Sequence, residues 1–226
     1  MAPAVSSRTT SGQPRRRRPQ PRSQAKRQKI LDASTQHFAE HGYQATRVED
    51  IARKLNIAKG SIFQHFGSKE GLFLECYKKV VGGLPRYEEA PAHVLKEGFF
   101  ATVKYWLETA ESRIDDDWMA FRISVIGDYG TSLTLRKEIN RFLGADDPYG
   151  VGSFVRMGIS RGEVRDDIEP EVLGITLQWM IERFEDACAA EELDPGLIRR
   201  RAPASASGRT AADQYLELMR GAFARR

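Results

Sequence analysis

The sequence predicts an all-α fold. Large apolar side chains recur at three- and four-residue spacings from Ser23 onward, strict apolar/polar alternation is nowhere sustained, and β-branched residues never gather between turn signals. With 226 residues, 41% hydrophobic and 29% charged, the composition is globular, with room for one large domain or a small one beside a larger one. No apolar run approaches the ~18 residues of a membrane-spanning helix. The basic N-terminus is followed by no hydrophobic stretch, so neither a secretory nor a twin-arginine signal is expected. Cys76 and Cys188 lie too far apart for a zinc quartet or a disulfide framework. They read as small buried hydrophobes of a reducing cytoplasm, where the protein is expected to reside.

Taken in order, residues 1–22 are rich in Ser, Thr, Pro and Arg and predict a disordered basic arm, because they bury too little to offset their ordering entropy. The first helix is predicted from about Ser23 to His41, with Ile30, Leu31 and Phe38 on its inner side and Gly42 placed to end it at positive φ. Thr46-Arg47-Val48-Glu49 has the pattern of a capping box, opening a short helix that presents Val48, Ile51, Ala52 and Leu55. Asn56 can take positive φ and ends that helix. A second short helix, Lys59 to Phe66, turns Ile62 and Phe66 inward. Gly67 breaks it, and Ser68 caps a longer helix carrying Leu72, Phe73, Cys76, Tyr77 and Val80.

Two short helices joined by three or four residues and braced by a longer one form a helix-turn-helix. The outward positions of the second, Lys59, Gly60, Ser61, Phe63, Gln64 and His65, are mostly polar and compact, as a helix lying in a major groove requires. Charge agrees. The first 80 residues sum to +10 and the remainder to −6, so one end suits a polyanion and the other does not.

Gly82-Gly83-Leu84-Pro85 interrupts the helical pattern and predicts a division into an arm (1–22), a reading head (23–81) and a body (82–226). Body helices are predicted near 90–110, 116–129, 132–143, 146–161, 169–190 and 209–224, with residues 199–209 as a mobile loop. The stretch VLGITLQWMI (172–181) is apolar nearly all round, which predicts burial on two sides, one of them against a second copy of the chain. The last helix offers Tyr215, Leu216, Leu218, Met219, Ala222 and Phe223 to complete a four-helix dimer interface.

Residues 24–77, above all GYQATRVEDIARKLNIAKGSIFQHFGSKEGLF, resemble the DNA-binding domain of TetR-type transcriptional regulators. The resemblance implies a homodimer of all-helical subunits whose divergent second half dimerises through its last two long helices and encloses a small-molecule pocket. It places DNA contacts on Thr46, Lys59, Gly60, Ser61, Phe63, Gln64, His65 and Lys69, with Thr46 and Lys69 touching phosphate. Gln64 is the candidate for reading a base edge, since its amide can pair bidentately with adenine. Two positions depart from the family pattern. Phe63 stands where family members usually carry Tyr, and Ala58 where they usually cap the recognition helix with Ser or Thr, a change worth roughly 0.5–2 kcal/mol of local stability.

Other candidates were weighed against plainer readings. Arg15–Arg18 suit a minor-groove arm or a solvated tail equally. His37 and His41 have the spacing of two zinc ligands, but packing and solvation explain them better, and no metal or cofactor is expected. Asp115-Asp116-Asp117, Asp146-Asp147 and Asp166-Asp167 fall at helix starts and turns, where Asp caps amides. Without a nucleophile elbow, a P-loop or a dinucleotide fingerprint, the chain is not expected to be an enzyme. Aromatic residues are plentiful in the body, and Trp106, Trp118, Phe121, Tyr129 and Trp179 are candidate walls of a pocket for an apolar or aromatic effector, with Arg122 as partner for an anionic group. The function expected is a ligand-released repressor binding a palindromic operator as a dimer. The competing reading is a ligand-independent architectural DNA-binding protein whose second half only dimerises.

Overall fold

A computed structural model describes residues 21–194 and 209–225. The predicted arm (1–22) lies outside the described residues except for its last two positions, and the predicted loop (199–209) lies outside except for Arg209. Among the described residues the regular structure is helical: α1 (Pro21–Ala45), α2 (Val48–Lys54), α3 (Lys59–Phe66), α4 (Lys69–Val81), α5 (Ala92–Glu97), α6 (Phe99–Glu108), α7 (Ala110–Asp116), α8 (Trp118–Tyr129), α9 (Leu133–Asp146), α10 (Val151–Ser160), α11 (Pro170–Ala189) and α12 (Ala211–Phe223). A single antiparallel bridge, Val164 to Ala224, ties the end of α12 to the turn after α10. No described helix is long and apolar enough to cross a membrane.

The turn chemistry explains where the front helices stop. Asn56 takes φ +52 after α2, Gly67 takes φ +75 after α3, and the Ser68 hydroxyl accepts the Gly71 amide at 3.1 Å to start α4. At Gly42 the backbone leaves helical geometry (φ +76, ψ 170), yet helical pairing resumes for one more turn, so α1 extends beyond the predicted His41. In the body, the helix predicted over 90–110 is broken at Gly98. That residue adopts φ +113, and a Cβ there would meet the Glu163 carboxylate at 2.4 Å. Glu163 occupies the space because it accepts the Phe99 amide at 2.7 Å and so caps α6. The aspartate readings hold at two positions: Asp117 accepts the Ala120 amide, and Asp147 accepts the amides of Val151 and Gly152.

Two apolar cores form. The front core joins Ile30, Leu31, Phe38, Ile51, Ile62 and Phe73 with Cys76 and Tyr77 of α4. Burial pushes the Cys76 thiol up to about 12, so it is inert packing. This core does not stop at the Gly82–Pro85 interruption, because Ile123 and Ile126 of α8 and Leu135 and Ile139 of α9 complete it. Gly127 is the point of closest approach, where an added Cβ would lie 2.7 Å from the Tyr77 ring. The rear core gathers Phe99, Val103, Trp106, Phe154, Leu177 and Phe184 with Leu216, Met219 and Phe223 of α12. Most of the α12 stripe predicted for a dimer interface therefore packs within the same chain. What stays outside is Leu218, 67% exposed; on α11, Val172, Ile175 and Trp179 are likewise exposed, at 52%, 41% and 59%.

Candidate nucleic-acid interface and body cavity

The front of the molecule is built around α3. Ile62 and Phe66 anchor it in the front core, leaving Lys59, Gly60 and Gln64 exposed and Ser61, Phe63 and His65 half-buried. Its amino end begins at Ala58, which has no side-chain cap. Lys59 reaches Glu49 of α2 and stands 5.3 Å over the Phe63 ring. That ion pair holds the Glu49 carboxyl below the usual carboxylate range. Lys26 of α1 donates to the Ser61 hydroxyl at 3.2 Å, adding a cation beside α3. A Cβ at Gly60 would meet nothing within 4 Å, so nothing in the subunit itself requires glycine there.

Lys69, at the start of α4, lies 4.6 Å over the Tyr43 ring and donates to the Gln44 carbonyl at 3.4 Å. Burial lowers its pKa somewhat. One expectation fails here. Thr46 is 2% exposed, and its hydroxyl donates to the Gly42 carbonyl at 2.7 Å rather than serving Glu49. The capping box does not form. α2 starts one residue later, with Arg47 at its N-cap and no side-chain cap. Gly42 leaves a carbonyl four residues back that captures the hydroxyl. The exposed Arg47 takes the place of Thr46 at that helix start. Spacing alone did not single out Arg47 or Lys26; the signal was their charge next to the short helices.

The His37 and His41 rings stack at 4.2 Å, and His41 Nδ1 lies 3.0 Å from the His37 carbonyl. Glu40, which the spacing argument passed over, stands with them, the ligand-capable atoms of all three within 4.8 Å. Burial lowers the His37 pKa.

In the body, Trp106 and Phe121 do line a cavity, of about 40 Å³, together with Tyr87, Tyr149 and Arg113. The other four candidates do not line it. Trp118 and Tyr129 are half exposed and Arg122 is exposed. Tyr129 points its hydroxyl to Asp186 at 2.9 Å. Trp179 instead lines a wider cleft of about 810 Å³ between α9, α10 and α11. Aromatic character marks a residue as large and apolar but not which side of its helix faces in. The groups missed lie on one face of α11: Gln178, Glu182, Glu185 and Asp186, joined by Asp128 of α8. Their recurrence four, three and one residues apart along α11 was the available signal.

An exposed short helix held by a helix in front and one behind, ringed by lysines and carried on a helical body, defines a helix-turn-helix DNA-binding regulator of transcription. Residues 30–76 match the family model of the bacterial regulatory proteins of the tetR family. It is similar to the HTH-type transcriptional repressor AcnR of Corynebacterium glutamicum, 29% identical over 173 residues that cover 76% of this chain and 86% of that one. In fold it resembles a tetR family transcription regulator of Shewanella sp. PV-4 (TM-score 0.59, 20% identity, covering 89% of this chain and 99% of that one). It also resembles FadR of Bacillus subtilis, solved with stearoyl-CoA (TM-score 0.58, 19% identity, covering 85% and 96%). Its relatives are regulators, and the chain is not an enzyme.

Proposed function

We propose that the protein is a dimeric repressor that sets one α3 helix into each of two major grooves and is released by a small molecule bound in its body. The single observation that carries the DNA-binding surface is the face of α3. Lys59 and Gln64 are exposed, Gly60 opens onto empty space, and Lys26 stands beside Ser61. Lys59, Lys69, Lys26 and Arg47 would neutralise phosphates, while Gln64, with Ser61 and His65, would read base edges. Exposed Val172, Ile175 and Trp179 on α11 and exposed Leu218 on α12 support pairing of two subunits through these helices. Twofold pairing in turn favours a near-palindromic operator with half-sites about 34 Å apart or slightly more.

Release follows from the shared front core. α4 carries the head, and Tyr77 lies against Gly127 of α8, whose neighbours Asp128 and Ser124 line the body cavity. A ligand that shifts α8 moves α4 with it, and so changes the spacing of the two heads. A coupling of about 1–3 kcal/mol is enough to vacate an operator. The wide cleft between α9 and α11 supports this reading over a body that only dimerises, which would require a filled interior. AcnR bears the name of a repressor, and FadR was captured with a ligand. The test is footprinting of the purified protein on DNA flanking its own gene, with sedimentation of the complex. Protection of two half-sites by two subunits is expected. Protection by a single subunit, or none beyond that on random DNA, overturns it.

A further inference from the structure

The two body spaces meet at one place. Asp128, Gln178 and Glu182 line both the inner cavity of about 40 Å³ and the open cleft of about 810 Å³. Around that junction the charges do not balance. Asp128 is paired with Arg136 of α9 at 3.0 Å, Asp186 with Arg183 at 3.0 Å, and Glu185 with Arg113 of α7 at 2.6 Å. Among the described residues Glu182 makes no ion pair and accepts only the Gln178 side-chain amide at 2.8 Å. Four carboxylates thus face three guanidinium groups, and the carboxylate left over is one of the two, with Asp128, that are reached from the cleft. Beyond it, Tyr87, Trp106, Phe121 and Tyr149 wall the inner cavity with aromatic rings.

We propose that the effector is an organic cation, a primary ammonium on an apolar body, whose charged head pairs with Glu182 at this junction. The inference rests on the ligand-responsive reading above and names the chemistry of its ligand. The Arg113 guanidinium already stands over the Trp106 and Phe121 rings at 4.8 and 5.9 Å, which leaves Tyr87 and Tyr149 as the aromatic walls for the proposed head, because ring faces attract cations. The inner cavity, slightly larger than the volume of one liquid water (~30 Å³), admits an ammonium group but not a benzene-sized body, which needs roughly 150 Å³. The apolar remainder therefore lies in the cleft, against Leu143, Val151, Ile175 and Trp179. A carboxylate or phosphate head is disfavoured there. The guanidinium groups of the cleft, Arg136, Arg183 and Arg156, are paired with Asp128, Asp186 and Glu171, and an ionised Glu182 would repel it. Burial, with the neighbouring Asp128, Asp186 and Glu185, pushes the Glu182 carboxyl up to about 8.

The test is calorimetric titration of the full chain at pH 8 with three probes of one shape: 4-phenylbutylamine, 4-phenylbutanol and 5-phenylpentanoate. The amine is expected to bind at least tenfold more tightly than the alcohol, with the carboxylate weakest. Glu182→Gln, shown by its melting curve to be folded, should bind amine and alcohol alike. Equal or tighter binding of the alcohol or carboxylate to the wild type, no binding of any probe, or a preference for the amine that survives in Glu182→Gln overturns the inference. Gel shifts with the same probes separate it from the reading beneath it. Amine bound without any loss of DNA would refute ligand release and leave the cation site standing. DNA released by an anion such as stearoyl-CoA, but not by the amine, would do the reverse.

Discussion

Glu182 gives the folded state a measurable pH signature even without ligand. In the unfolded chain its carboxyl titrates at the ordinary value of 4.5, whereas burial in the native body holds the proton until about 8. Below pH 4.5 both states are protonated and the group contributes nothing. Above it the unfolded state loses the proton and the folded state keeps it, so stability falls with rising pH until the native carboxyl ionises as well. Each pH unit is worth about 1.4 kcal/mol, and the whole interval on the order of 5 kcal/mol. Glu182→Gln keeps the shape and the polar contact with Gln178 and removes this titration. Asp128, pushed up to about 6 by burial, and the raised Glu185 and Asp186 add their own slopes, but these are present in both proteins. Urea unfolding at pH 5, 6, 7, 8 and 9 is the assay. The stability of the variant relative to wild type should climb by about 1 kcal/mol per pH unit up to pH 8 and then level off. Parallel curves over that range would refute the burial of an ionisable Glu182.

Gly60→Ala should leave the free protein as stable or up to about 1 kcal/mol more so, because the new methyl meets nothing and alanine favours the helix, while operator affinity falls. A melting curve and a gel shift check the two halves. Gln64→Ala should relax preference at one operator position by about 1–3 kcal/mol, whereas Lys69→Ala should weaken all sequences alike and flatten the salt dependence, both read by titration on mutated operators. Gly127→Ala puts a methyl 2.7 Å from the Tyr77 ring, so a destabilisation of about 1–3 kcal/mol and a shifted DNA affinity are expected in denaturation and binding assays. Trp179→Asp on the exposed face of α11 should yield a folded monomer in sedimentation, with specific DNA binding weakened at least tenfold.

The head was legible because its instructions are local. Asn56, Gly67 and Ser68 each set a turn through their own backbone or hydroxyl, and Ile62 and Phe66 fix the inward side of α3 at helical spacing. Thr46 misled because two acceptor arrangements compete for one hydroxyl, and the winner, the Gly42 carbonyl, depends on a backbone turn that spacing does not encode. The body was less legible. Trp118, Tyr129 and Trp179 announce size without direction, and the tertiary packing that turns them outward is set by helices far away in sequence. The polar row Gln178, Glu182, Glu185 and Asp186 carried the better information, since burying four such groups on one face of an apolar helix demands partners there.

Because α8 and α9 supply side chains beneath Tyr77 and Phe73, the reading end cannot be cut out and grafted onto a foreign effector module at the Gly82–Pro85 break. A chimera divided there would strip Ile123, Ile126, Leu135 and Ile139 from beneath the transplanted piece. The workable seam lies elsewhere, between the front core and the rear one, and any exchange must carry those two supporting helices along with the head.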